Sequence, residues 1–326
     1  TKRASNIGIS QFAWSCGPAI IFILSLVMSF IIPGFESDGT TLLPAGTYGP
    51  FDGMLATRLL FLVLFIVALI AWNLQRQLQE SADWAEKNAA ATEKQSFGKM
   101  MATALKNPVN VKTIIFLVAV YLTWNLAAGT NGQFMPYLYA AAGNIDATGQ
   151  SLLGVVQWVL VAVCSLAIFS RFGDIVSHRV LFGASALLAL LSWVAIAVFG
   201  LAIQSGDTES MGWVLWVYVI LWGISAGFSA QCFYALWGTE LFPTQYRGGA
   251  QGIMFFLVRG ALGIWSLVGV GAIMGDISTN PAGFFPAAVI MCVVLLISLV
   301  VGVIWCPKTQ GKTLDQITEE RYGKIE

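Results

Sequence analysis

Eight stretches of this chain, at about 9–33, 53–74, 112–140, 151–170, 180–203, 212–238, 250–274 and 283–306, are continuously apolar. Each meets the roughly 20 residues a helix needs to cross hydrocarbon at about 1.5 Å rise per residue. Spanning strands would instead alternate in segments of about ten residues, and no such alternation is visible. Peptide groups in lipid must be paired within their own segment, so each stretch reads as a helix. The remainder cannot clothe a water-soluble body. Only 10% of the 326 residues are charged against 57% apolar, where a soluble domain carries about 25% charged residues. Soluble enzymes, disordered chains and nucleic-acid binders are excluded, and the fold class is an all-α polytopic membrane protein.

The charges divide by side. Lys2 and Arg3, six basic residues in 75–112, Arg171 and Arg179, Arg247, and Lys308, Lys312, Arg321 and Lys324 lie on alternate connections. The intervening connections, 34–52, 141–150, 204–211 and 275–282, have no basic residue and carry Glu36, Asp38, Asp52, Asp146, Asp207, Glu209 and Asp276. Lysine and arginine mark cytoplasmic loops. Both ends of the chain and the long 75–112 connection are therefore expected in the cytoplasm, the protein sitting multi-pass in the cytoplasmic (inner) membrane. The formal net charge is zero, so no overall field favours an anionic partner. Five cysteines form no CxxC, and the single histidine, His178, completes no His/Cys metal pattern. No cofactor and no metal are expected.

Polar residues inside the spans are costly unless they meet water or one another. In 112–140, Asn125, Thr130, Asn131 and Gln133 stand among Gly129, Gly132 and Pro136, a pattern expected to interrupt the helix and line a wet interior. The competing reading is that these amides tie helices together. Gln231, Tyr234 and Trp237 recur every third residue and share one helical face. An amide flanked by aromatic rings suits a polyol, and plain packing is the alternative. Gln157 is a lone amide in its span. Arg259 lies near the middle of 250–274 with Gln251, Phe255 and Ser266 on its side; it either engages an anionic group or snorkels to the headgroups. Arg58, near the end of its span, fits snorkelling better.

Several motifs add a resemblance. Glu240-Leu241-Phe242-Pro243-Thr244 followed by Arg247-Gly248 is similar to the E-x-F-P-T-x-x-R signature of major facilitator superfamily transporters of the sugar-porter type. Pro307-Lys308-Thr309-Gln310-Gly311-Lys312-Thr313-Leu314 resembles that family's P-E-T-K-G-K-T-L tail, and Glu80-Ser81 with Trp84 resembles its P-E-S-P-R-W. Arg3, Gln11 and Gly17 match the spacing around the family's fifth helix. Arg171-Phe172-Gly173-Asp174 with His178-Arg179 is a degenerate D-R-x-G-R-R, with Ser170 in the acidic place.

The resemblance implies a 12-helix architecture whose first four helices precede this chain. Residues 1–74 would be the last two helices of the N-terminal bundle, 75–111 the cytoplasmic inter-bundle loop, 112–306 the six-helix C-terminal bundle and 307–326 a cytoplasmic tail. A genuine eight-helix protein is the alternative. Aligned on Gly129 to the family's sugar-binding Q-Q-x-x-G-x-N, Asn125 takes the first glutamine's place and Asn131 the asparagine's, with Leu126 at the second glutamine. Gln11 takes the place of a sugar-contacting glutamine, against the bland reading of an amide touching headgroups. Gln231 and Cys232 stand where the family has the Gly-Pro of G-P-x-x-W. Glu240, Arg247, Arg171 and Arg179 would form the charge cluster that latches the inner gate, or would serve only to hold the loops inside.

The function so implied is secondary active transport, by alternating access and with proton symport, of a small polar solute: a sugar or a polyol such as an inositol. The partners are that solute, protons, the lipid bilayer and the preceding helices. An organic-anion transporter using Arg259 and a non-transporting sensor derived from a transporter are the alternatives. No HExxH or GxSxG supports an enzyme.

Overall fold

A computed structural model describes residues 2–31, 52–77, 98, 102, 105–141, 145, 147–206, 211–275 and 281–323. It is helical throughout most of these residues. The long helices are α1 (Arg3–Ile31), α2 (Asp52–Gln75), α3 (Pro108–Ala141), α4 (Ala147–Cys164) and α5 (His178–Ser205). They are followed by α6 (Trp213–Gly227), α7 (Ala230–Glu240), α8 (Thr244–Ile264), α9 (Phe284–Ile304) and a short α10 (Leu314–Tyr322). Among the described residues seven helical spans are long and apolar enough to cross a membrane, with α6 and α7 counted as one. In α2 the described apolar stretch, Phe61–Gln75, is shorter. Glu80, Ser81 and Trp84, most of the 75–111 connection, and all the acidic loop residues named above except Asp52 lie outside the described residues.

The helices pack mostly against partners that are not their neighbours in sequence. α5 lies between α6 and α9, α3 packs against α8 and α9, and α4 joins α1 to α6. Their shared core is built from large side chains, Tyr121, Phe182, Trp193, Tyr218, Phe233 and Trp237 among them, all essentially without exposure. The outward faces are equally apolar: Phe61 and Phe65 on α2 and Phe256 and Ile264 on α8 are exposed. Only a bilayer solvates such a surface without penalty.

Where helices approach closely, glycine allows it. Gly223 and Gly227, four residues apart on α6, face α4. A Cβ on Gly223 would lie 3.0 Å from the Gln157 carbonyl oxygen, and one on Gly227 would lie 2.5 Å from Cys164 Cβ and 2.9 Å from the Val161 carbonyl oxygen. This small-xxx-small pair lets backbones meet in a medium that supplies no hydrophobic drive between helices.

The expected interruption of the 112–140 span does not occur, and irregular backbone lies elsewhere. α3 runs unbroken from Pro108 to Ala141 with Pro136 inside it. The ring of a helical proline presses on the carbonyl four residues earlier, and here that residue is Gly132, whose backbone yields readily. The breaks fall in three other places. Phe228 and Ser229 separate α6 from α7, α4 ends in a π-helical segment, Ser165–Ser170, and α8 continues through a second one, Trp265–Gly269, into a last turn, Val270–Met274.

Gly227→Leu is expected to abolish folding in detergent. Gly227→Ala, which presses on backbone rather than on a flexible side-chain tip, is expected to cost about 1–3 kcal/mol. Thermal unfolding of the purified variants checks this, and an unchanged midpoint for both would contradict the close α4–α6 approach.

Candidate solute site and charge cluster

The α6–α7 break satisfies its own backbone. The Ser229 hydroxyl accepts from the Gln231 amide at 3.3 Å, an N-cap for α7. The Cys232 thiol donates to the Gly227 carbonyl at 3.5 Å and the Ser225 hydroxyl to the Ser185 carbonyl at 2.9 Å. After this cap, the first turn of α7 brings Gln231 to Gln11 of α1, whose amide groups lie 3.4 Å apart. One turn further on, Tyr234 stacks on Tyr121 of α3 with ring centroids 4.2 Å apart.

Tyr121 begins a wall of rings along α3. It stacks with Trp124 at 6.1 Å; Trp124 stacks with Trp222 at 6.0 Å and Trp222 with Tyr218 at 6.4 Å. Asn125 follows Tyr121 by four residues and so lies on the same helical face. On α3, Trp124 Nε1 and Asn125 Oδ1 are buried with no hydrogen-bond partner, as is Nε1 of Trp193, whose ring packs edge-on against Tyr218 and Trp222. Asn125 is only 3% exposed. An unmade hydrogen bond at such a site costs about 1–3 kcal/mol, which a polar ligand would return.

Arg259 of α8 stands at the edge of this arrangement. It interacts with the Tyr121 hydroxyl, and its guanidinium lies 4.9 Å from the centroid of the Phe255 ring. It is exposed. Tyr121 thus meets Tyr234 and Arg259 and shares a helical face with Asn125, while Gln231, one turn before Tyr234, meets Gln11.

Of the other predicted residues, Asn131 meets the far end of this wall at Tyr218 and the rest lie apart. Asn131 accepts from the Tyr218 hydroxyl at 2.6 Å and Gln133 from the Ser266 hydroxyl at 2.6 Å; beside them Thr130 accepts from the Trp265 indole N–H at 2.9 Å. Ser266 and Trp265 are offered by the second π-helical segment. These contacts tie α3 to its neighbours, the tethering alternative for the same amides. Trp237 is fully buried against Phe116, Phe182 and Phe233, with its indole N–H 3.4 Å from His178 Nδ1. Gln157 is buried on α4, where it faces α6 at Gly223. Sequence reasoning passed over Tyr121 and Trp124. Their positions four and one residues before Asn125 were the available signal.

At the end of the bundle that carries the basic connections, Glu240 is 3% exposed and pairs with Arg3 of α1, Nε to Oε1, at 3.2 Å. Arg3 also donates through Nη2 to the Lys312 carbonyl at 2.5 Å. Asp174 accepts from the Ala4 and Ser5 amides at 3.1 and 3.0 Å. It thereby caps the start of α1 from the loop after α4, where a negative charge is favoured. Arg171 and Arg179 are exposed, and Arg179 lines a cavity of about 390 Å³ together with Lys308 and Lys312. Arg247 lies in the first turn of α8, whose N-cap is Pro243. Arg3 and Asp174, absent from the predicted cluster, thus fasten the start of α1 at this end.

The tail is fixed at the same end. Thr313 and Gln316 form a capping box at the start of α10, and the Tyr322 hydroxyl lies 2.6 Å from Asn110 Oδ1 and 3.0 Å from the Leu241 carbonyl. Burial raises the Tyr322 phenol above its ordinary range, with Arg321 opposing, so it remains a donor at neutral pH.

Among curated proteins the chain is similar to the minor myo-inositol transporter IolF of Bacillus subtilis (strain 168). The two are 34% identical over an alignment that takes in 99% of this chain and 66% of that relative. The chain therefore spans about two thirds of the relative's length. No protein-family model and no solved structure matches.

Breaking one member of a buried ion pair costs about 3–5 kcal/mol, because the other charge is stranded. Arg3→Gln and Glu240→Gln are each expected to lower the thermal midpoint, and the double variant is expected to lose less than the two combined. Additive losses would contradict the pairing.

Proposed function

The chain belongs to the major facilitator superfamily, and from that premise we propose that the complete protein is a transporter for a small polyol, with myo-inositol as the first candidate. The observation that carries this reading is the ring wall of α3 with its two unpaired buried groups, Trp124 Nε1 and Asn125 Oδ1. A cyclic polyol offers C–H faces to aromatic rings and hydroxyls that both donate and accept, which matches an unpaired N–H and an unpaired C=O on one helix. Gln11 and Gln231, brought to each other from α1 and α7, supply further amides. The name of the relative supports the substrate class.

Transport by alternating access assigns a role to the charge cluster. α1 belongs to one bundle and residues 112–306 to the other, and the Arg3–Glu240 pair joins them at the end where the connections are basic. Opening that end means parting this pair, so it acts as a latch, with Arg171, Arg179 and Arg247 as further cations on the connections at the same end. The basic connections support an orientation with this end in the cytoplasm of the inner membrane. Symport would move the proton through groups outside the described spans, because the described carboxylates all lie at the ends of the spans or beyond them.

A second reading, an organic anion, is favoured by one observation: the exposed Arg259 beside Tyr121. Uptake of labelled myo-inositol by proteoliposomes holding the complete transporter separates the two. Asn125→Ala is expected to lower uptake at least tenfold, on the basis of a hydrogen bond worth about 1.5 kcal/mol, while Arg259→Gln spares it. Absence of myo-inositol uptake, with uptake of a labelled carboxylate that is lost with Arg259→Gln, would favour the anion.

A further inference from the structure

The groove where the first turns of α3 meet the last turn of α9 and the tail helix α10 plays no part in the solute site. Its volume is about 450 Å³. Its walls are apolar, with Ile115 and Phe116 from α3, Val301 from α9 and Trp305 just beyond it. Ile115 and Trp305 are exposed, 63% and 66%, so the groove opens sideways on the surface that faces the bilayer. Two cations stand at its rim, Lys112 from α3 and Arg321 from α10. The carboxylate neighbours of Arg321 on α10 are exposed, and Glu320 is held by Lys312 at 2.5 Å. Lys112 is itself exposed. Arg321 is positioned through its Nη2, which donates to the Thr113 hydroxyl, while its buried Nε has no partner.

We propose that this groove binds one molecule of an anionic glycerophospholipid, with an acyl chain along the α3–α9 wall and its phosphate between Lys112 and Arg321. Charge and depth select this occupant. The apolar part begins where the spans begin, at the hydrocarbon boundary. The two cations lie just outside it, at headgroup level, and Trp305 has the amphipathic ring enriched at that boundary. A soluble phosphate would gain nothing from the apolar wall, and a zwitterionic lipid would set its own cation against Lys112 and Arg321. Because Arg321 lies on the tail helix, the lipid would also fasten α10 to the start of α3.

Native mass spectrometry of the delipidated protein in neutral detergent tests this, with phosphatidylglycerol, phosphatidylcholine and glycerol phosphate titrated separately. Phosphatidylglycerol is expected to bind at least tenfold more tightly than phosphatidylcholine, with glycerol phosphate not retained. A headgroup contact with one lysine is worth about 1 kcal/mol, so Lys112→Gln should weaken phosphatidylglycerol about fivefold and leave phosphatidylcholine unchanged. Ala119→Trp, which fills the groove from α3, should remove the bound lipid. Equal binding of the two lipids, retention of glycerol phosphate as strong as that of phosphatidylglycerol, or indifference to Lys112→Gln would overturn the proposal.

Discussion

A peptide group in hydrocarbon that finds no partner costs several kcal/mol, and this constraint shapes the chain at every level. It makes each span a helix and forbids loose ends at depth. It also explains how the helix breaks are built. Where α6 gives way to α7, the Ser229 hydroxyl, the Cys232 thiol and the Ser225 hydroxyl each pair with backbone. In the π-helical segment after α4, the Ser165 hydroxyl donates to the Ala162 carbonyl and the Ser170 hydroxyl to the Ser5 carbonyl. At two of the three irregular places, side chains hydrogen-bond backbone groups in or beside the break.

The same penalty sorts the polar side chains. Asn131, Thr130, Gln133, Gln11 and Gln231 all pair across helices, so much of their polarity goes into holding the bundle. Trp124 Nε1 and Asn125 Oδ1 do not. Groups left unpaired in so dense an interior are a stored free energy that a ligand can release, and the stacked rings beside them limit which ligand fits. At the basic end Arg3 and Glu240 do for charge what the amides do for dipoles, joining α1 to the corner where α7 meets α8.

Much of this was legible in the residues. Hydrophobic length alone gives the helices, because lipid leaves no other option, and the spans appear close to their expected limits. The Glu240–Thr244 corner was legible as a motif, and its chemistry is now visible: Glu240 pairs with Arg3, Phe242 is buried, and Pro243 is the N-cap residue of α8. The α3 interruption was a misreading of Pro136 and its glycines: Gly132, four residues before the proline, was the available signal that the helix could continue. Helical phase on one segment placed Gln231, Tyr234 and Trp237 together but could not say that Trp237 turns inward to Phe182 and Phe233. Partner identity is a property of two helices. The Arg3–Glu240 and Asp174–α1 contacts therefore lay beyond any reading of single segments.

On the function proposed above, a polyol would pair Trp124 Nε1 and Asn125 Oδ1. An experimental structure of the complete transporter with myo-inositol bound tests it most directly. The account predicts a ring of density against Tyr121 and Tyr234 with hydroxyls in hydrogen-bonding reach of Trp124 Nε1 and Asn125 Oδ1. Density that lies elsewhere, with both atoms still buried in side-chain packing, would contradict it.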